Sequence, residues 1–224
     1  MAEPKPARAQ ATIDLLIEMI NGKPAVDPAL QMANTDTVQW TNDCGPGSTA
    51  SVYFYGASLS IFNDVLNISV GSSQPTPAAS PQQSNVIANY GVRVVTGGTP
   101  SDAGPFCIDV GTGGALVVQV HYDGTNWVGN PSGGLIPATQ RMVTFQNNDT
   151  DPTHICKVTF NQNSGGQNTF NPMTLTVNPN GGTASATALV AGPASYSMQT
   201  SPSAAGRVET AGMGTIKVGS SSRR

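Results

Sequence analysis

The feature that most constrains the fold is that the two halves of the chain repeat the same short motifs. A Trp-Thr-Asn motif that starts at Trp40 returns as Phe-Gln-Asn at Phe145. Three further matches pair Phe62 with Phe170, Tyr90 with Tyr196, and residues 114–118 with residues 214–218. The members of each pair lie 100 to 108 residues apart. Because self-similarity at one period marks repeated structure, and this period is the length of a small domain, the sequence predicts two copies of one fold in tandem.

The amino-acid composition favours an all-β fold. Only 10% of the 224 residues are charged, against roughly 25% in an average globular protein. The chain also has 25 glycines and 17 prolines, which favour turns and interrupt helices. The segment 36–40 alternates apolar Val38 and Trp40 with polar neighbours, and this is the period of a half-buried strand. We therefore predict many short strands joined by turns.

The predicted strands define two domains. In the first half they cover residues 12–20, 36–40, 51–55, 66–70, 90–95, 106–110 and 115–120, and in the second half residues 142–145, 156–160, 173–177, 186–190, 195–198 and 215–218. Regularly spaced short strands favour a Greek-key β-sandwich. The predicted divisions are a flexible arm at 1–10, one sandwich at 11–122, a second sandwich at 123–218 and a flexible tail at 219–224.

Two connecting segments carry further expectations. Residues 123–126 are predicted to form a link that is too short to let the two domains swing freely. The proline-containing segment 71–85 is predicted to be an exposed loop, and together with the tail it is a candidate contact segment for a partner.

The charge pattern argues against nucleic acid, and the hydropathy pattern argues against a membrane span. The net charge is −3 and the ten lysines and arginines are scattered, whereas nucleic acid binding needs clustered cations. No apolar run approaches the roughly 20 residues that cross a bilayer.

The small share of charged residues favours a periplasmic or extracellular location. Residues 1–10 lack the apolar stretch of a signal peptide, so either a leader has been removed or the protein stays inside the cell.

The chain has three cysteines, Cys44, Cys107 and Cys156. This odd number leaves at least one thiol unpaired. A Cys44–Cys107 disulfide within the first domain is possible, but the spacing alone does not establish it.

Several of the motifs resemble the cupredoxin-like family. In the first half, residues 17–24 and the Asp-Thr-Val-Gln-Trp-Thr-Asn run at 36–42 resemble the opening strands of that family. In the second half, residues 170–177, Tyr196 and the Gly-Met-Gly-Thr-Ile-Lys-Val run at 212–218 resemble its closing strands. The resemblance implies two tandem Greek-key β-sandwich domains of the cupredoxin-like or immunoglobulin-like kind.

The resemblance also indicates where copper would bind. A blue-copper centre takes two histidines, a cysteine thiolate and usually a weak methionine ligand. The second domain offers His154 and Cys156 near the first ligand position and keeps Met213, but its closing loop at 199–212 has neither Cys nor His. The resemblance therefore implies that no cofactor is bound. The alternative is a copper-binding redox accessory protein that uses His154, Cys156 and Met213.

Ordinary structural roles compete with these metal assignments. Cys156 can be a buried thiol that packs as a small apolar residue, with His154 beside it in a loop. Asp149 and Asp151 carry carboxylates of the kind that bind calcium, yet Asp and Asn are also common turn formers. We predict the structural role in both cases.

No motif of a catalytic nucleophile, phosphate loop or dinucleotide site is present in the sequence, so we predict that the protein is not an enzyme.

Tyr53 and Tyr55 share one face of a predicted strand and, with Trp127, are predicted interface residues. An exposed Trp127 would also suit a carbohydrate-binding protein. We predict a non-catalytic structural or binding module, a subunit of a larger assembly or surface-associated complex. Its partners would be other protein subunits or further copies of the chain.

Overall fold

The computed structural model describes residues 10–26, 29–62, 69–111, 113–201 and 212–219. The predicted arm at 1–10 and tail at 219–224 therefore lie almost wholly outside the described residues. Within these ranges the regular structure is β-strand apart from one 3-10 helix, Gly56–Ser60. No helix there has the length and apolar character that crossing a membrane requires.

Eighteen strands are present in the described part of the chain. The first eight are β1 (Thr12–Ile20), β2 (Lys23–Ala25), β3 (Ala29–Met32), β4 (Thr37–Asn42), β5 (Thr49–Phe54), β6 (Ser69–Gly71), β7 (Val86–Thr96) and β8 (Thr99–Val110). The other ten are β9 (Ala115–Tyr122), β10 (Trp127–Asn130), β11 (Gly133–Ile136), β12 (Met142–Asn147), β13 (Cys156–Phe160), β14 (Phe170–Asn171), β15 (Thr174–Val177), β16 (Thr183–Ala188), β17 (Gly192–Thr200) and β18 (Gly212–Val218).

Strand pairing repeats in the two halves. β1 runs parallel to β4 and antiparallel to β2, just as β9 runs parallel to β12 and antiparallel to β10. β7 is antiparallel to both β5 and β8, and β17 is antiparallel to both β13 and β18. β3 runs parallel to β8, and β11 runs parallel to β18. The predicted fold class, two tandem all-β sandwiches, is confirmed. We infer two units with this pairing, unit 1 at 11–110 and unit 2 at 115–218.

A cluster of four aromatic rings fills the core of each unit. The rings are Trp40, Phe54, Phe62 and Tyr90 in unit 1, and Phe145, Phe160, Phe170 and Tyr196 in unit 2. The stacked pair Phe54–Phe62 has centroids 5.3 Å apart and an interplanar angle of 22°. Its counterpart Phe160–Phe170 has centroids 4.4 Å apart and the same angle. Three of these four matches were predicted from the sequence, and the match of Phe54 with Phe160 was missed.

Two buried asparagines hold equivalent turns together. The Nδ2 group of Asn42 donates to the carbonyl oxygens of Ser48 (3.3 Å) and Val70 (3.1 Å). Its Oδ1 accepts from the amide of Cys44 at 3.1 Å. Because buried backbone groups need partners, the side chain replaces hydrogen bonds that the strands cannot make there.

Asn147 makes the same three kinds of contact in unit 2. Its Nδ2 group donates to the carbonyl oxygens of His154 (2.8 Å) and Val177 (3.1 Å), and its Oδ1 accepts from the amide of Asp149 at 3.0 Å. The repeated Asn of the sequence motif is thus a repeated structural clamp.

The strand β9 begins unit 2, and this corrects the prediction that 115–120 closes the first domain. β9 pairs with β12 along its length, and its Leu116, Val118 and Val120 belong to the core that contains Phe145. The match of 114–118 with 214–218 was therefore wrong. Residues 123–126 form the hairpin turn between β9 and β10 and do not link the units.

The two units share one continuous sheet. β7 of unit 1 pairs in parallel with β9 of unit 2 at Val86↔Ala115 and Ile87↔Leu116. The resulting sheet runs in the order β14-β16-β12-β9-β7-β5-β6. Ile87 and Cys107 of unit 1 are buried in the core of unit 2. The units are therefore joined through β7 and β9, and not through the predicted link at 123–126.

Candidate binding cleft

A polar seam, formed by the hydrogen bonds of Asn89 with Leu135 and Ser58, holds the two units together beside the shared sheet. The side chain of Asn89 on β7 donates from Nδ2 to the carbonyl of Leu135 on β11 (3.1 Å), and its Oδ1 accepts from the Leu135 amide (2.6 Å). The Asn89 amide donates to Ser58 Oγ at 2.8 Å. Asn89 is fully buried. An amide side chain that satisfies both backbone groups of one residue sets the register of β11 against unit 1.

A buried ion pair crosses the same junction. Arg141, just before β12, contacts Asp109 at the end of β8, and the Asp109 side chain is only 2% exposed. Burial raises the pKa of Asp109, while the Arg141 guanidinium opposes that rise. A pair in this setting costs desolvation energy and is strongly destabilising to break on one side only. It therefore helps to specify a single arrangement of the units.

A cleft of about 740 Å³ opens next to this seam. Unit 1 contributes Tyr55, which follows β5, and residues 104–105 of β8, while unit 2 contributes residues of β9, β10, β11 and β18 and the β10–β11 turn. The lining residues are Tyr55, Gly104, Pro105, His121, Val128, Gly129, Asn130, Pro131, Ser132, Gly133, Gly134, Leu135, Thr215 and Lys217. A volume of this size lies in the range of natural ligand sites, which are frequent at domain boundaries.

Glycines let the backbone form much of the wall of this cleft. A Cβ on Gly133 would lie 2.8 Å from the carbonyl oxygen of Thr215, and one on Gly134 would lie 2.5 Å from a methyl carbon of Leu116. Gly104 has a φ of +137°, which other residues rarely adopt. A larger residue at Gly133 or Gly104 would therefore force the backbone to shift or strain, and the glycine-rich run 129–134 is the sequence signal that could have located the cleft.

Tyr55 forms the unit 1 side of the cleft. Its ring meets that of Tyr53 edge-on, with centroids 5.4 Å apart, and both rings lie over Gly91 of β7. A Cβ on Gly91 would lie 2.3 Å from Tyr55 Oη. Burial raises the pKa of Tyr55, with a contribution from its hydrogen bond to Tyr53. Tyr55 is therefore a fixed, neutral phenol at neutral pH. Of the predicted interface residues, Tyr55 lines the cleft and Tyr53 supports it.

Trp127, the third predicted interface residue, is only 2% exposed. It packs in the core of unit 2, and its indole N–H donates to Thr200 Oγ1 at 3.1 Å. A carbohydrate-binding role would require an exposed Trp127. The indole is hence not available as a stacking surface for a sugar.

The predicted metal ligands are not brought together. Cys156 is fully buried and faces the core, while Met213 is 77% exposed. The two lie on β13 and β18, which are separated by β17, where Cys156 pairs with Thr200 and Met213 with Ser197. Burial raises the pKa of Cys156 to about 12, so its thiolate is disfavoured. Within the described ranges, no group of three or more His, Cys, Asp or Glu side chains is arranged to hold a metal ion.

His154 is instead part of an acidic turn. Its Nδ1 lies 2.9 Å from Asp149 Oδ2, and its Nε2 lies 3.7 Å from Asp151 Oδ2. The imidazole meets the Tyr122 ring edge-on, with centroids 4.9 Å apart. Asp149 and Asp151 also accept hydrogen bonds from backbone amides of the same turn. The residues predicted as ordinary turn formers do form a turn here.

The three cysteines are free thiols. Cys107 is fully buried, and burial raises its pKa. Cys44 is partly exposed and its Sγ lies 3.3 Å from the carbonyl oxygen of Ile17. A Cys44–Cys107 disulfide is absent from the structure.

No protein-family model matches the chain, and no curated protein matches its sequence. Among solved structures, the chain is similar to a copper nitrite reductase from Nitrosomonas europaea, with 12% identity and a TM-score of 0.34 over 93% of this chain and 94% of the other. It is also similar to a blue copper oxidase from the same organism, with 9% identity and a TM-score of 0.30 over 94% of this chain and 86% of the other. Both TM-scores are too low to support an argument, so the fold assignment rests on the strand pairing described above.

Proposed function

We propose that the protein is a non-catalytic binding module that holds a short segment of a partner in the cleft between its two units. The observation that carries this proposal is the cleft itself, which has walls from both units. Its lining combines four apolar side chains, Pro105, Val128, Pro131 and Leu135, with six that carry a polar group. In ligand sites of proteins, apolar contacts supply affinity and placed polar groups set orientation.

The junction supports the proposal because it makes the cleft a fixed cavity. The shared β7–β9 pairing, the Asn89–Leu135 hydrogen bonds and the Arg141–Asp109 pair all lie between the units. A site that is already formed loses less conformational entropy when its ligand binds. A role as a subunit of an assembly or surface-associated complex remains a prediction that agrees with such a site.

The test is a titration of ¹⁵N-labelled protein with a mixed pool of five-residue peptides that are capped at both ends. We expect the amide signals of Gly104, Gly133, Gly134 and Thr215 to shift. Thr215→Trp puts an indole at the cleft and should abolish these shifts. Thr176→Trp is the matched control, because Thr176 is an exposed threonine of the same sheet but does not line the cleft.

Two results would overturn the proposal. One is a titration in which the pool leaves all four cleft signals unmoved. The other is a set of shifts that Thr215→Trp and Thr176→Trp change equally.

A further inference from the structure

We propose that the cleft recognises a carboxylate group, which Lys217 and His121 bind while the apolar wall holds the body of the ligand. This inference rests on the proposed function, because it names the ligand chemistry of the same cleft. The carboxylate can be the free end of a partner chain or a group on a small organic acid.

The ionisable groups of the lining are the first support. The chain as a whole is acidic, with 13 Asp and Glu residues against 10 Lys and Arg residues. None of the lining residues of the cleft is Asp or Glu, whereas Lys217 and His121 are both basic. A concave surface lined by basic groups with low-dielectric walls attracts anions.

The position of Lys217 is the second support. Lys217 lies on β18, where it pairs with Leu135 of β11 and Pro193 of β17, and its side chain is on the exposed face of the sheet. In the part of the chain that the structure describes, Lys217 makes no ion pair, while Arg93 and Arg141 both do. Its ammonium group therefore has donors to offer a ligand.

Two carboxylates, Asp123 and Asp102, lie near the cleft. Asp123 interacts electrostatically with His121, and it also accepts hydrogen bonds from the amides of Thr125 and Asn126. Asp102, near Tyr55, is held by Arg93 through two contacts of 2.8 and 3.0 Å. Neither carboxylate forms an ion pair with Lys217 in the described part of the chain, so Lys217 is the main group that an incoming carboxylate would contact.

The other residues that line the cleft fit the same ligand. Tyr55 is a protonated phenol at neutral pH, as tyrosines ordinarily are, and burial raises its pKa further. Pro105, Pro131 and Leu135 are apolar, and the lining Asn130 can donate an amide hydrogen bond. The arrangement suits a ligand with its charged end at Lys217 and its apolar body against these lining residues.

The experiment compares two versions of the same five-residue peptide pool, one with free terminal carboxylates and one amidated. We expect the free acids to bind roughly tenfold more tightly, because hydrogen bonds to charged groups are worth more than neutral ones. Lys217→Gln should remove this difference. Lys157→Gln is the matched control, since Lys157 lies on the outer face of β13 in the same sheet and does not line the cleft. Benzoate and benzamide form a second pair of probes.

The outcomes separate the two proposals. Equal binding of acids and amides in the cleft overturns carboxylate recognition and leaves the binding module in place. A preference for acids that survives Lys217→Gln, or that Lys157→Gln removes equally, also overturns it. Lys217-dependent binding of benzoate over benzamide identifies a small organic acid as sufficient. The same preference with the peptides alone identifies a chain end. The absence of all binding overturns both proposals.

Discussion

The strand β4 of unit 1 and its counterpart β12 of unit 2 are flanked by two very different segments. In unit 2 the regular strand β16 pairs with β12, at Val143↔Ala186 and Phe145↔Ala184. In unit 1 residues 73–79 run along β4 and meet it only at isolated bridges such as Val38↔Ala79. The chain at 73–79 contains Pro75 and Pro77, and proline has no backbone N–H to donate. The comparison shows that a proline-rich segment can occupy a strand position if other donors and acceptors replace the ladder.

In unit 1, Thr76 supplies hydrogen bonds that replace part of the regular ladder. Its amide donates to the Trp40 carbonyl at 2.8 Å, and its Oγ1 accepts from the Trp40 amide at 3.0 Å. Thr76 and Ala79 are both buried. The prediction of an exposed contact loop at 71–85 was therefore wrong for these residues, because composition alone does not show which neighbours a proline-rich segment can bond.

The largest effect that tests the equivalence of the units is the loss of a stacked core ring. Phe54→Ala and Phe160→Ala each remove the central ring of a four-ring cluster. We expect each to lower the free energy of unfolding by about 3–5 kcal/mol, measured by urea denaturation. Leu59→Ala, at an exposed position, is the control and should change stability little. A cost below about 1 kcal/mol in only one of the two variants would contradict the equivalence.

Loss of an asparagine clamp should cause the next largest decrease in stability. Asn42→Ala and Asn147→Ala each leave two buried backbone carbonyls without their donor. We expect each variant to be destabilised by about 1–3 kcal/mol. Similar costs in both variants would show that the repeated motif was kept for this contact. No measurable loss in either would show that water or another group replaces the amide.

Thr76→Val tests how the segment 73–79 is held beside β4 in unit 1. The change keeps the shape of the side chain but removes the oxygen that accepts from the buried Trp40 amide. A loss of about 1–3 kcal/mol is expected from the unsatisfied donor. Thr183→Val, in the regular strand β16 at an exposed position, is the matched control and should be close to neutral. Equal effects in the two variants would show that the hydroxyl of Thr76 is not needed.

Much of the fold could be predicted from the sequence, because repeated large residues report directly on a repeated core. The pairs Trp40/Phe145 and Tyr90/Tyr196 lie in equivalent clusters. The weak match at 114–118 misplaced β9, since Gly- and Val-rich strands look alike whichever unit they belong to. The glycine-rich run 129–134 marks one wall of the cleft, but the full set of lining side chains could not be predicted, because Tyr55, His121 and Lys217 are far apart in sequence.

The smallest expected effect concerns the turn where the units differ in charge. Cys44 in unit 1 and Asp149 in unit 2 both donate an amide to their clamp asparagine, but only Asp149 titrates in acid. Burial acts to raise the pKa of Asp149, but hydrogen bonds from the Asp151 amide and from His154 outweigh it and hold the pKa below its usual value of 3.8. A carboxyl with a lowered pKa stabilises the folded state above that value, and this contribution is lost as the pH falls through the folded pKa. Asp149→Asn should therefore make unit 2 less sensitive to pH below about 4. In a Trp40→Phe background, Trp127 fluorescence reports on unit 2 alone, and an unchanged acid transition would contradict a role for this carboxylate.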